Sequence, residues 1–259
     1  MFSNDIISLA KETGRKKRLD ELNGFVIEHN NYYISKISRP EKILYSSDHK
    51  DNFGFNSVWF IQELLYRSKT LLEGSIFAIN NKNILTSLLS VRAHFETTGS
   101  MAFFFDKLSS YYSGNIKFEA VDKYLMSLSL YSSTVNMEYK HEVKRINTLD
   151  MIRSVDKLMS NFGIPQKKPF MFLYEDLCDF CHPNFWGITT GTTISENSKS
   201  ILFNKNNVLS AENFSFFLYI LISAKLFLHC YCETYNLIEK EEIMPDFVKE
   251  QRNYTALSK

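Results

Sequence analysis

Between Ile84 and Phe105 the chain is apolar or small at almost every position, and only Arg92, His94 and Glu96 can ionise. Arg92 and Glu96 are four residues apart, so on a helix they share a face with Leu85, Leu88, Leu89, Gly99 and Phe103. That composition predicts a buried pair. An arginine keeps its proton in any protein environment, so burying it calls for a carboxylate or several acceptors, and Glu96 is the nearest. Arg followed by Glu is the poorer order for local helix stability, a matter of a few tenths of a kcal/mol. The pair therefore points to a tertiary role, either pinning helix packing or holding a ligand.

A second group lies in Tyr174-Glu-Asp-Leu-Cys-Asp-Phe-Cys-His-Pro-Asn184. A residue before proline is pushed out of the helical region, so a helix should end on His182. A histidine there is favoured as a cation, and Asp179, three residues back, can orient it, which suits a general base or a phosphate contact. The alternative is structural: His182 and Asn184 satisfy helix-end carbonyls and hold the segment that follows. The candidate catalytic residues are thus Arg92, Glu96 and His182, and the candidate binding residues Tyr174, Asp179 and Asn184.

The four cysteines fall in two pairs. Cys178-Asp-Phe-Cys181-His182 has the form of a haem c attachment site, but that chemistry needs an exported chain. Combined with His229-Cys230-Tyr-Cys232 it offers soft ligands for zinc. Cys230 and Cys232 are two apart and diverge on a helix, so buried thiols are the simpler expectation and no metal ligand is assigned. There is no Gly-rich phosphate loop, nucleophile elbow or His-Glu-x-x-His helix, and no cofactor is expected.

These residues must be positioned by long elements. With 9 Gly and 5 Pro in 259 residues, turn formers are scarce, while 44% hydrophobic residues, including 22 Phe, supply a large core. Lys and Arg number 30 against 29 Asp and Glu, a net charge of +1 that excludes a global field for coating nucleic acid. Any RNA contact must be local. Met1 to Ala10 has no basic region followed by an apolar run, so cytoplasm is the expected location. Phe214 to Cys232 is long and apolar enough to span a bilayer, but Lys225 near its middle favours a buried helix without stable membrane insertion.

Helical spacing predicts a first helix from Asp5 to Lys17, closed by the basic run Arg15 to Arg18, whose cations would suit a solvated helix C-terminus or, alternatively, a contact to RNA or phosphate. Residues 18–57 read as irregular, short helical pieces and loops punctuated by Pro40 and Gly54. From Ser57 the spacing of Val58, Ile61, Leu64, Leu65, Ser68, Leu71, Leu72, Ser75 and Ile76 is that of a buried helix face. Asn83 should cap the next helix, Ile84 to about Leu108, and so short a turn makes the two antiparallel. Further helices are expected at Phe118 to His141, Leu149 to Phe162, Pro169 to Cys181 and Ser210 to about Ile238. The β-branched run Trp186 to Ile194 and the apolar Ser200 to Phe203 suggest a β-hairpin. The expected architecture is a mainly α, single domain over residues 1–259: an antiparallel helical bundle with a core at 58–240, a small β-hairpin appendage near 185–204 and a frayed tail at 245–259.

Ser90-Val-Arg-Ala-His-Phe-Glu96 in a long apolar helix, followed by Tyr174 to Asn184 ending in His-Pro-Asn, resembles a bacterial family of unknown function across roughly Phe60 to Phe203. That family is distantly similar to the HEPN helical proteins, many of them ribonucleases or toxins of prokaryotic defence and toxin-antitoxin systems. The resemblance implies a helical bundle that forms a homodimer, with RNA or a protein as partner. It also implies a cleft using Arg, a carboxylate and His, for which Arg92, Glu96 and His182 are the candidates. The chain departs from the HEPN ribonuclease motif, since no Arg is followed by a His after four to six residues. The expected function is an accessory or effector protein of a bacterial defence or stress system, acting through a polar pocket or partner surface. The alternative is a metal-independent ribonuclease.

Overall fold

Two long helices joined by three residues set the frame. The structure, a computed structural model, describes residues 2–37, 49–130, 144–163, 168–189, 192–195, 200–203 and 210–240. Those residues are mainly helical. α3 (His49–Asn80) and α4 (Ile84–Tyr112) are separated by a turn in which Lys82 has φ 57°, and the Asn83 side chain accepts from the Thr86 N–H at 3.2 Å. That cap satisfies one of the free donors of the first turn of α4 and starts the helix where the sequence places it. The two helices run antiparallel: Ser87 Oγ donates to the Ser75 carbonyl at 3.1 Å, and Ser68 Oγ meets His94 Nε2 at 2.9 Å. Val58, Ile61, Leu65, Ser68, Leu72, Ser75 and Ile79, three or four apart, form the buried face of α3.

α9 (Ala211–Lys240) closes the opposite side of this pair, and Ser210 Oγ accepts from the Asn213 N–H at 3.0 Å at its start. Phe214, Phe217, Ala224, Phe227, Tyr231 and Ile238 are buried to 0% exposure; each phenylalanine contributes roughly 1.5–3 kcal/mol through burial. Among the described residues α9 is the one helix long and apolar enough to cross a membrane, and 72% of its most apolar window is buried inside the protein. Lys225 faces outward and pairs with Glu21.

On the other flank of α4 lie α5 (Phe118–Leu130), α6 (Thr148–Asn161) and α7 (Pro169–Cys181). α6 crosses α4 at Gly99, where a Cβ would stand 3.2 Å from the Met151 carbonyl carbon and 3.3 Å from the Ile152 nitrogen. A side chain there would force α6 back by a few tenths of an ångström. α7 begins on Pro169, and its free first-turn N–H groups are taken by α6: the Asp156 carboxylate accepts from Phe170 N at 2.8 Å and Met171 N at 3.2 Å. Phe95 of α4 stacks on Phe170 at 4.2 Å, completing one apolar core shared by all the long helices.

Several expectations need correction. The first helix, α1 (Asn4–Glu12), stops early because Gly14, at φ 68°, turns the chain. The run Arg15 to Arg18 therefore opens α2 (Lys16–Ile37) and does not close α1, so its cations sit at the less favourable helix end. Residues 18–57 are not irregular where described: α2 covers much of the stretch, and α3 begins at His49. Leu19, Leu22, Phe25 and Tyr33 make a narrow buried stripe on α2, and the polar residues around it disguise the period.

Trp186 to Thr189 is not extended but belongs to a short helix, α8 (Phe185–Thr189), because Asn184 Oδ1 accepts from the Gly187 N–H at 3.0 Å and starts a turn. Among the described residues strand pairing is confined to β1 (Thr192–Ser195) and β2 (Ser200–Phe203), antiparallel with Thr192 opposite Phe203 and Ser195 opposite Ser200. The expected continuation of α5 to His141 and the tail at 245–259 lie outside the described residues.

Candidate functional site

α4 and α7 together build the site that residue spacing pointed to. Arg92 and Glu96 stand one turn apart on α4, with Nη2 of Arg92 3.4 Å from Oε1 of Glu96. From α7, the buried Tyr174 donates its hydroxyl to the same Glu96 oxygen at 2.9 Å, and the Arg92 guanidinium carbon lies 5.9 Å from the centre of its ring. The pair is not buried as expected: the Arg92 side chain keeps 23% of its surface exposed and that of Glu96 34%. The covering helix α6 reaches α4 further along, at Gly99, and Leu85 and Leu89 on the preceding turns are each 42% exposed. The guanidinium thus stands at the rim of the core, with one side packed and one side wet.

Tyr174, Cys178 and Cys181 share one face of α7 by helical spacing, and that face meets Arg92. Burial works against the charge of Arg92, but the Tyr174 hydroxyl, Cys178 and Glu96 more than offset it and raise the arginine pKa. Burial and the neighbouring Glu96 charge push the Tyr174 hydroxyl up, so it is a neutral donor. Burial likewise raises the Cys178 thiol and takes Cys181 to about 11, despite the nearby guanidinium. A nucleophilic cysteine needs its thiolate. At neutral pH these thiols are therefore polarisable wall, and the group that can act on a ligand is the arginine.

Arg92 is also under-used. Its Nε is buried without a hydrogen-bond partner, and its one carboxylate contact is long. A guanidinium presents five N–H donors in a planar fork, so the site retains capacity for carboxylate or phosphate oxygens.

The remaining predicted residues lie elsewhere on α7 or beyond it. Asp179 and His182 are exposed, and neither is hydrogen-bonded or ion-paired to Arg92 or Glu96. His182 is the C-terminal cap of α7, its backbone N–H bonded to the Cys178 carbonyl at 3.0 Å. Asn184 is engaged in starting α8. Gly187 packs against the His182 carbonyl so closely that any Cβ would overlap it, which holds α8 against the end of α7.

His94, the third ionisable group of the apolar stretch, faces inward. Its Nε2 meets Ser68 Oγ at 2.9 Å and its Nδ1 meets Ser223 Oγ at 2.8 Å, while Tyr33 and Thr98 extend the chain of hydroxyls. Complete burial lowers its pKa to about 3, so it is a neutral structural link between α3, α4 and α9. Cys230 is buried, and the Cys232 thiol lies 3.2 Å from the Tyr32 hydroxyl. Among the described residues no three His, Cys, Asp or Glu side chains are grouped to hold a metal.

Cys178 and Cys181 are neighbours of Arg92 that the Arg-Glu and His-Pro patterns do not single out, although their helical spacing from Tyr174 carries the signal. A cleft of about 950 Å³ between α4, α5 and α6 leaves no local pattern, because its basic residues are scattered along the chain. Comparison with protein-family models, curated proteins and solved structures finds no match for this chain.

Proposed function

We propose that this chain is a cytoplasmic, homodimeric helical-bundle accessory or effector protein of a bacterial defence or stress system, with a β-hairpin appendage. It acts by holding an anionic group of a partner at Arg92. The observation that carries this reading is the partly exposed guanidinium, with 23% of the Arg92 side chain open and its one carboxylate contact long, braced by Glu96 and by the Tyr174 ring. The outer N–H groups of the guanidinium fork remain available for carboxylate or phosphate oxygens. Expression in a bacterial host should change growth or the efficiency of phage plating, and Arg92→Ala, produced as soluble protein, should lose the effect. An inert wild type, or a variant as potent as the wild type, refutes the reading.

The second reading is a metal-independent ribonuclease. His182, exposed at the end of the helix that supplies Tyr174 and Cys178, favours it. There His182 acts as general acid or base, Arg92 stabilises charge on the phosphorane, and Glu96 orients Arg92. Purified protein incubated with total RNA decides the matter. Absent cleavage, or equal cleavage by His182→Ala, removes the nuclease reading and leaves the effector reading standing.

A further inference from the structure

We propose that the cleft between α4, α5 and α6 is a binding site for a nucleoside polyphosphate. Lys107, Lys123, Lys144, Arg145, Arg153 and Lys157 line it, against the carboxylates of Asp106 and Asp150. Among the described residues six basic side chains thus line one hollow with two acidic ones, although the whole chain is almost neutral. Asp106 takes Lys107 at 3.0 Å and Lys157 at 2.5 Å, and Asp150 takes Arg153 at 2.6 Å. No described carboxylate lies within ion-pair distance of Lys123, Lys144 or Arg145. Among the described residues these three cations have no carboxylate partner, and like charges around one cavity favour a multivalent anion.

Two further features select the kind of anion. α6 starts at the cleft, and its Asn147 cap and first-turn Asp150 are part of the lining, so the positive end of a fourteen-residue helix adds to the field. The opposite wall is aromatic: Tyr124 packs edge-on against Phe103 at 5.5 Å, and Lys107 Nζ sits 5.5 Å from the Tyr124 ring centre. Tyr124, with Ala120 and Ile146, offers an apolar surface for a planar base beside the phosphate-binding cations. A volume of about 950 Å³ is at the upper end of small-ligand pockets, room for one nucleotide and not for the track of a long strand. Asp106 is fourteen residues from Arg92 on α4, about 20 Å along the axis, so this site is independent of the one proposed above.

Calorimetric titration of the full chain, without divalent metal, tests the assignment with ATP, GTP, AMP, tripolyphosphate and a ten-nucleotide single-stranded RNA as probes. At least one triphosphate should bind roughly ten-fold more tightly than both AMP and tripolyphosphate. Replacing Lys144 and Arg145 together by Ala should weaken it by about ten-fold or more, and Lys123→Gln should weaken it in the same direction. Tyr124→Leu should erase the advantage of the nucleotide over tripolyphosphate. Lys123, Lys144 and Arg145 are exposed, so these variants keep the core intact. No binding at about 1 mM overturns the proposal, as does wild-type affinity in the double variant. Tripolyphosphate binding as tightly as any nucleotide reduces the cleft to a general anion site, and RNA binding more tightly than every nucleotide makes it a nucleic-acid surface; both overturn it.

Discussion

Acidification should unfold this protein in part through one residue that never touches solvent. His94 is 0% exposed, each ring nitrogen faces a serine hydroxyl, and burial lowers its pKa from 6.5 to about 3. In the unfolded chain the imidazole takes up a proton below pH 6.5, whereas the folded protein refuses it until about pH 3. Across that window the unfolded state binds more protons, so stability falls as pH falls. The linkage relation gives a loss of about 2 kcal/mol between pH 7 and about pH 5, rising to about 5 kcal/mol below both pKa values. Urea unfolding followed by circular dichroism, at neutral pH and near pH 5, should show wild type losing about 2 kcal/mol more than His94→Gln. The variant cancels the contributions of the other histidines and of the carboxylates. Parallel losses in the two proteins would refute the reasoning. So would an imidazole resonance of His94 that titrates near pH 6 in the folded wild type, a measurement that does not depend on the variant folding.

Two further substitutions probe the contacts that place α6 and α7 on α4. Gly99→Ala should destabilise the protein by about 1–3 kcal/mol, because the new methyl meets the backbone of Met151 and Ile152, which cannot rotate away; an unchanged urea midpoint would show that α6 can shift freely. Asp156→Ala should cost about 1–3 kcal/mol by leaving the Phe170 and Met171 N–H groups without acceptors, with Asp156→Asn milder because one acceptor oxygen survives. Equal losses in the two Asp156 variants would contradict that account.

Local physical chemistry determined much of this molecule before any packing was known. Asn83 caps α4, Pro169 and the His182-Pro183 step bound α7, and the three-four spacing of Val58 to Ser75 marks the buried side of α3. The mainly helical character and the sharing of a face by Arg92 and Glu96 follow from the same short-range rules. These rules reach about one helical turn, and they fail where the buried stripe is narrow, as on α2, or where one capping bond overrides β-branched composition, as at α8. Tertiary structure decided the rest. Tyr174 reaches Glu96 across 78 residues, and Asp156 of α6 starts α7. His94 turns into the core while Arg92, two residues earlier, reaches its rim, and six cations from three segments converge on one cleft in a nearly neutral chain. Which distant groups meet depends on how all the helices share one core, a collective free energy that no window of the sequence contains.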